Sequence, residues 1–513
     1  MHQANISMPA SDPREKKAGL AYWAARVLEE CDRASAAFAP DPVHDLRVAI
    51  RRCRSMADGF LSVDPDPAWK QMKKLGKPLF SSLGELRDTQ VMLEWVAKLS
   101  PAADPLGQSL GASLLYREAQ LKAAAQNALG DFDRKRWTSL NAHLAKRSGR
   151  IPLEGAVFQH LALERWMEAR ELHRRALRNR SAVAWHQLRI GIKRFRYTVE
   201  NFLPQRHERW SKDLRELQDA LGEAHDFDVL RGLIRAHPQV DAGDRLKWLE
   251  RVAEERQKRL DLYRRRMVGR HSLWQAWRAE LPAGAALEEA AVEKLTAWAS
   301  FLDPDVPHSK LVAQLAAELY DGLLQCGILE SAPGRRGLLQ GAALLHEVGR
   351  SRLVDGAHGS HQKRGWRMIL KLKPPLGWSE DEIRCVAAMV RYHRGPLPVA
   401  SNSSFAGLSA ERRAGLMPII GVLRLANALD EAHDRSISRV AVELQGGTIV
   451  VRALGLQPMS PGAERIARAR YLLETLCRLP IVVCPMARQP ATAAGKVKAG
   501  QPATAMPVRG GVG

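Results

Sequence analysis

HDLRVAIRRCRSMADGF, residues 44–60, returns as HQLRIGIKRFRYTVENF, residues 186–202. The two align without a gap: His44, Leu46, Arg47, Ile50, Arg52, Arg54 and Phe60 meet His186, Leu188, Arg189, Ile192, Arg194, Arg196 and Phe202. A second pair follows in the same order, LGELRDTQVM from Leu83 and LGEAHDFDVL from Leu221, and upstream of it Lys74 and Lys77 match Lys212 and Arg215. Two collinear matches of this length mark a duplicated unit.

Residues three and four apart share one face of a helix. His44, Arg47, Arg51 and Arg54 therefore form a cationic stripe beside an apolar one, Leu46, Ile50, Cys53 and Ala57. The second copy repeats both, with His186, Arg189, Lys193 and Arg196 beside Leu188, Ile192, Phe195 and Val199. Asp41-Pro42 offers an N-cap and a favourable first helical residue before the first stripe. A single charged stripe is usually a solvated face. A solvated face mixes signs, however, whereas these stripes hold no acid over three turns. Like charges at i, i+4 repel by a few tenths of a kcal/mol per pair, so an anionic partner is expected to offset them. Arginine forks hold phosphate oxygens bidentately and lysine acts as a point charge. Lys74, Lys77, Lys212 and Arg215 on adjoining helices would extend a cationic groove. The two histidines either line it or are satisfied core or cap residues.

The whole chain leans the same way: 513 residues carry a net charge of +22. Such an excess attracts nucleic acid, anionic lipid or polyphosphate alike and says nothing about fold. Six scattered cysteines read as reduced thiols. The N-terminal residues lack an apolar signal core, and apolar runs such as 416–423 are too short to span a bilayer, so a cytoplasmic protein without membrane partners is expected. Helical periodicity runs from about residue 14 to 280 and, after LPAGAALEE (281–289), resumes to about 436. RVAVELQGGTIVVRA then predicts a β-hairpin around Gly446-Gly447, and a last amphipathic helix covers about 462–479. Residues 1–13 and 486–513 are expected to be disordered. The fold class is mainly α: a duplicated helical bundle at 14–280 (repeats 14–150 and 151–280), then a helical domain with a small hairpin at 287–485.

The H-x-L-R-[VI]-x-I-[RK]-R-x-R segments, their repetition and the L-G-x-x-x-D segments resemble the CHAD domain (conserved histidine α-helical domain) over about residues 14–280. The resemblance implies two pseudo-symmetric bundles around a basic cleft that binds inorganic polyphosphate, with association with polyphosphate granules, and the eight stripe residues lining the cleft. No cofactor is needed for that binding. Metal chelation by His44 or His186 fits poorly, because each is surrounded by cations. Nucleic acid is the competing partner. Against it, the basic helices lack the aromatic interleaving of a single-strand stacking platform, and no zinc-finger, RRM or basic-zipper signature accompanies them.

Histidines and carboxylates recur in the second half, at His308, His346-Glu347, His358, His361, His393 and Asp430. These groups suit a divalent transition metal that makes hydroxide from water near neutral pH, and from separate helices they can converge in a bundle core. HEVGR lacks the second histidine of H-E-x-x-H, which excludes a zincin. EDEIR at Glu380 suits an acidic triphosphate-tunnel site in composition but reads as helix. LLQGAALLHEVG, SHQKRGWRMI, VRYHRGPLP and LMPIIGVLRLANALD together resemble an HD domain, and more closely the C-terminal HD-like region of the exopolyphosphatase/guanosine pentaphosphatase family, over about 290–480. The resemblance implies metal ligands at His308, His346, Glu347 and Asp430, with His361 and His393 for a second ion. Glu347 stands where the family pattern has Asp, and its extra methylene shifts the carboxylate by more than the ~0.5 Å a catalytic site tolerates. In the exopolyphosphatase relatives hydrolysis belongs to an actin-like domain that no segment here resembles. A metal-dependent phosphohydrolase acting on polyphosphate or a nucleotide, and a metal-free scaffold, both stay open. Arg350, Arg352, Lys363, Arg364, Arg391 and Arg394 around these histidines suit a phosphate-rich ligand.

Overall fold

The computed structural model describes residues 19–36, 38–101, 104–238, 241–351, 360–399, 401–457 and 462–486. The terminal segments expected to be disordered lie outside them, Met486 excepted, as do Arg352 and His358. The chain is mainly helical with one small sheet near its C-terminal end.

The first repeat supplies α1 (Leu20–Ala36), α2 (Pro40–Phe60), α3 (Ala68–Leu75), α4 (Lys77–Leu99), α5 (Pro105–Gly130) and α6 (Arg134–Ser148). The second supplies α7 (Ala156–Asn179), α8 (Ala182–Phe202), α9 (Pro204–Ala236), α10 (Ala242–Met267) and α11 (Leu273–Ala279). The two cationic stripes lie on α2 and α8. Their apolar neighbours Leu46, Ile50, Cys53, Leu188, Ile192 and Phe195 are fully buried, each large aliphatic or aromatic one worth about 1.5–3 kcal/mol. α1 packs on α2 as α7 packs on α8, and α2 and α8 pack on each other. At their crossing the equivalent residues Phe60 and Phe202 meet edge-on, ring centres 5.4 Å apart. Only glycine fits at position 59, because a Cβ there would lie 2.4 Å from the Phe202 ring. α2 begins earlier than Asp41-Pro42 implied. Its N-cap is Ala39, which offers no side-chain cap, and Pro40 opens the helix with Asp41 in the first turn, where a carboxylate favours the helix dipole.

The second half contains α12 (Ala285–Ser300), α13 (Val306–Gln325), α14 (Arg335–Leu345), α15 (His361–Ile369), α16 (Glu380–Tyr392) and α17 (Ala410–Leu429). After them come β1 (Arg439–Gln445), β2 (Thr448–Leu454), α18 (Gly462–Cys477) and β3 (Ile481–Pro485). The EDEIR stretch is helical, started by a capping box between Ser379 and Glu382. The hairpin is antiparallel, with Gln445 opposite Thr448, and turns through Gly446 and Gly447 at φ 52° and 77°, the left-handed pair a tight hairpin needs. β3 was not expected: it pairs parallel to β2, and its five residues, ending in proline, carry no alternation to announce it. α12 packs on α7. Lys294 Nζ reaches Glu164 at 2.8 Å, and Arg150 donates to the Ser300 carbonyl at 2.8 Å. The Phe301 ring lies 4.8 Å from the guanidinium carbons of Arg147 and Arg150. Among the described residues no helix is long and apolar enough to cross a membrane.

Candidate anion groove and candidate metal centre

The crossing of α2 and α8 brings the two stripes to opposite walls of one groove of about 490 Å³, where Arg51 and Arg54 face Arg189 and Lys193. Lys73, Phe80, Arg165, Arg194 and Tyr197 also line it, together with one carboxylate, Asp58, which pairs with Lys73. Aromatic rings hold the guanidiniums in place: Arg51 sits 5.1 Å over Tyr197, and Arg47 and Arg54 sit 5.7 and 5.2 Å from Phe80. The Nε atoms of Arg51 and Arg189 are buried without a hydrogen-bond partner, a state that costs about 1–3 kcal/mol for a polar group. Burial first, then Arg189, Arg51 and Arg47, pull the Lys193 ammonium down to about 7.

The duplication extends beyond the groove lining, which His44, Arg47 and His186 do not join. Arg47 Nη2 stands 3.8 Å from Asp88 Oδ1. The equivalent of Asp88 in the second repeat, Asp226, is pushed up to about 6, chiefly by burial and against the pull of Arg189. His186 and His225 approach Nδ1 to Nδ1 at 3.3 Å. Burial, then Arg189, hold His225 down at about 4, and burial followed by Arg87 and Arg51 lowers His44. Neither stripe histidine is a core residue: His44 is exposed and His186 half-buried.

Not every expected cation reaches the groove. Arg196 turns toward Glu200, 3.7 Å away, a carboxylate that also pairs with Arg52. Lys74 lines a separate hollow with Asp131, Asp133 and Arg136, while its neighbour Lys73 lines the groove. Lys77, Lys212 and Arg215 are exposed outside the groove lining. The break at Gly76 between α3 and α4 explains the first pair, since Lys74 and Lys77 do not share one helix face. Tyr197 and Phe80 went unrecognised in the sequence. Tyr197 lies four residues beyond Lys193, so the helical spacing of the stripe could have found it.

The second site gathers side chains from four helices and one tight turn. His308 belongs to α13, His346 follows α14, Glu347 opens the 3-10 turn Val348–Arg350, His361 starts α15 and His393 follows α16. All but His361 are essentially buried. The turn packs so closely on α15 that a Cβ on Gly349 would lie 2.0 Å from the His361 carbonyl oxygen. His308 Nε2 is 3.1 Å from His346 Nε2, and His361 Nε2 is 3.4 Å from His393 Nε2. Glu347 Oε1 lies between the pairs, 3.8 Å from His346, 3.5 Å from His361 and 3.9 Å from His393. The Nδ1 atoms of His308, His346 and His393 meet Asp430 Oδ2, the Ala343 carbonyl and the Val390 carbonyl at 2.8, 2.6 and 2.8 Å. That pattern fixes the tautomer with Nε2 free to ligate. Ligands about 2.0–2.1 Å from a tetrahedral ion stand roughly 3.3 Å apart, close to the spacings found here.

Two overlapping donor sets result, His308-His346-Glu347 and Glu347-His361-His393, and both fit a metal ion. Despite its extra methylene, Glu347 reaches the centre of both. Burial pushes its carboxyl up to about 7, while Arg350 ion-pairs with its other oxygen. Burial also takes His346 down to about 3 and His361 to about 4. Asp430, expected as a ligand, belongs to neither set. It stands behind His308, and its second oxygen accepts from the Arg435 amide at 2.7 Å. His433, which the sequence did not single out, stacks on His308 with ring centres 3.8 Å apart and bonds Asp305 at 2.9 Å. Its φ of 57° places it among the strained residues that cluster at functional sites.

Comparison with known proteins finds a family for each half of the chain. The family model of the CHAD domain matches residues 19–235, and that of the Ppx/GppA phosphatase, domain III, matches residues 288–450. No curated protein matches the chain. Among solved structures, PptA from Streptomyces chartreusis aligns at 17% identity over 50% of this chain and 96% of that one, with a TM-score of 0.38. The chain thus joins a CHAD domain to a domain of the Ppx/GppA phosphatase domain III type.

Proposed function

We propose that this protein binds inorganic polyphosphate in the groove between α2 and α8. The observation that carries the reading is the pair of buried, unpartnered donors, Arg51 Nε and Arg189 Nε, contributed by equivalent helices of the two repeats. A linear chain of phosphates offers acceptors at many points along such a groove and brings no base to accommodate. Nucleic acid is disfavoured because the rings of Phe80 and Tyr197 already lie against guanidiniums, whereas single-strand binding draws on free aromatic faces. Association with polyphosphate granules belongs to the same proposal. The test is a competition titration of labelled long-chain polyphosphate against single-stranded DNA of equal phosphate number, at low and physiological salt. Polyphosphate should stay bound at physiological salt and resist DNA. Equal displacement, with both ligands lost together as salt rises, would reduce the stripes to a generic anion surface.

A second reading concerns the other half. The convergence of imidazole Nε2 atoms on Glu347 favours a divalent-metal phosphohydrolase acting on a phosphoanhydride or phosphoester. His308, His346 and Glu347 would hold one ion, and Glu347, His361 and His393 another. A bound ion supplies an acidified water and positive charge for a phosphoryl oxygen. The chain's own residues orient this set: Asp430 fixes the His308 tautomer, the Ala343 and Val390 carbonyls fix those of His346 and His393, and Arg350 holds Glu347. Phosphate release that is lost in His346→Ala supports this reading, and an inert, metal-free protein removes it.

A further inference from the structure

A second cationic hollow, of about 360 Å³, lies where the two halves meet, and Arg165 lines both it and the α2–α8 groove. Its other basic residues are Lys294 on α12 and Lys371 and Lys373 just beyond α15. Glu164, the one carboxylate in its lining, is paired with Lys294. Lys371 and Lys373 are exposed and make no ion pair among the described residues. From Lys371 the charge continues back along α15. Lys363 and Arg367, both exposed and four residues apart, share one face of α15, and the exposed Lys371 follows just beyond the helix end. α15 has nine residues, about 13 Å at 1.5 Å per residue. The hollow and the α2–α8 groove thus share Arg165, and Lys371 and Lys373 extend the positive charge on the far side of the hollow.

We infer that the hollow between the halves is a binding site for the same polyanion, a track on which a long phosphate chain seated in the α2–α8 groove continues past Arg165 to Lys371 and Lys373. The inference rests on the polyphosphate reading of the groove. It adds a length dependence that the groove alone does not carry, because a short chain fills the groove without reaching the hollow.

The experiment compares short-chain and long-chain inorganic polyphosphate binding to the full-length protein, to the double variant Lys371→Glu/Lys373→Glu and to Arg51→Ala/Arg189→Ala. Both lysines are exposed and unpaired, and circular dichroism checks that the reversal leaves the fold intact. The lysine variant should bind short chains as the unaltered protein does, bind long chains about tenfold more weakly, and show a shallower salt dependence for long chains only. The arginine variant should lose short-chain binding, which reads the groove by itself. In a second measurement, amine acylation followed by mass spectrometry should find Lys371 and Lys373 protected by long chains and not by short ones. Long-chain affinity unchanged by the lysine reversal, or no protection of these two amines, would overturn the track while leaving the groove standing. If neither chain length binds the unaltered protein, groove and track fall together.

Discussion

The Nε2 atoms of His308 and His346 stand 3.1 Å apart in a fully buried position, and each ring has its Nδ1 against an oxygen. With both Nδ1 atoms donating, two lone pairs would face each other at hydrogen-bond distance, and a shared cation relieves that repulsion. The unaltered protein, equilibrated with a divalent transition metal and desalted, is expected to retain about one or two ions per chain. His346→Ala should lose the ion at the His308 side. Elemental analysis decides it, and an unaltered protein that retains no metal under any of these ions contradicts the assignment.

Asp430 tests the arrangement more finely. A carboxylate that ligates directly takes the ion with it when removed, whereas one that only orients a ligating histidine costs about 10–100-fold in metal affinity. Because Asp430 stands behind His308, Asp430→Ala is expected to weaken binding within that range and not to abolish it. Glu347→Gln, which alters both donor sets, should have the larger effect. A competitive chelator titration of the two variants separates these outcomes.

The contrast between Asp430 and Glu347 shows what the sequence could and could not convey. Spacing along a helix is local, so the stripes on α2 and α8, the hairpin at Gly446-Gly447 and the helical character of both halves were legible. The side-chain direction across a helix break was not: Lys74 and Lys77 look like neighbours on one face until Gly76 separates α3 from α4. Arg196 kept its place in the stripe, but Glu200 one turn later draws it aside. Which carboxylate enters the candidate donor sets depends on the 3-10 turn after His346 and on the loop that holds Asp430 against His308, neither of which has a periodic signature. Arg165 comes from α7, outside the repeated motif, Phe80 falls between the matched positions Lys77 and Leu83 of α4, and β3 is recognisable only through its partner β2.

Gly349 has a measurable role in that turn. A methyl group there would fall 2.0 Å from the His361 carbonyl and close to the Gly365 amide, so Gly349→Ala must push α15 away from the turn that carries Glu347. Overpacking of this kind costs about 1–3 kcal/mol. The expected result is a lowered unfolding midpoint together with weakened metal binding, while polyphosphate affinity in the α2–α8 groove is unchanged. Thermal unfolding and a short-chain polyphosphate titration on the same variant check both halves of the statement.

Lys193 makes the groove sensitive to pH in a direction that can be worked out. Its ammonium lies at about 7, lowered by burial and by Arg189, Arg51 and Arg47, with Asp88 as the opposing charge. Phosphate oxygens entering the groove stabilise the charged form and raise that value toward the ordinary lysine range of about 10. Below about pH 7 the lysine is then charged with or without ligand and affinity is insensitive to its ionisation. Between about pH 7 and 9 the free protein has lost the proton that the complex retains, so binding takes up part of a proton and affinity falls as pH rises. Asp226, at about 6, titrates below this window. Lys193→Arg keeps its charge throughout and should bind with nearly the same affinity at both ends of it. Titration calorimetry in two buffers of different ionisation enthalpy measures the proton uptake directly. An unaltered protein with no uptake near pH 8, or an arginine variant with the same uptake, would remove Lys193 from the groove's phosphate contacts.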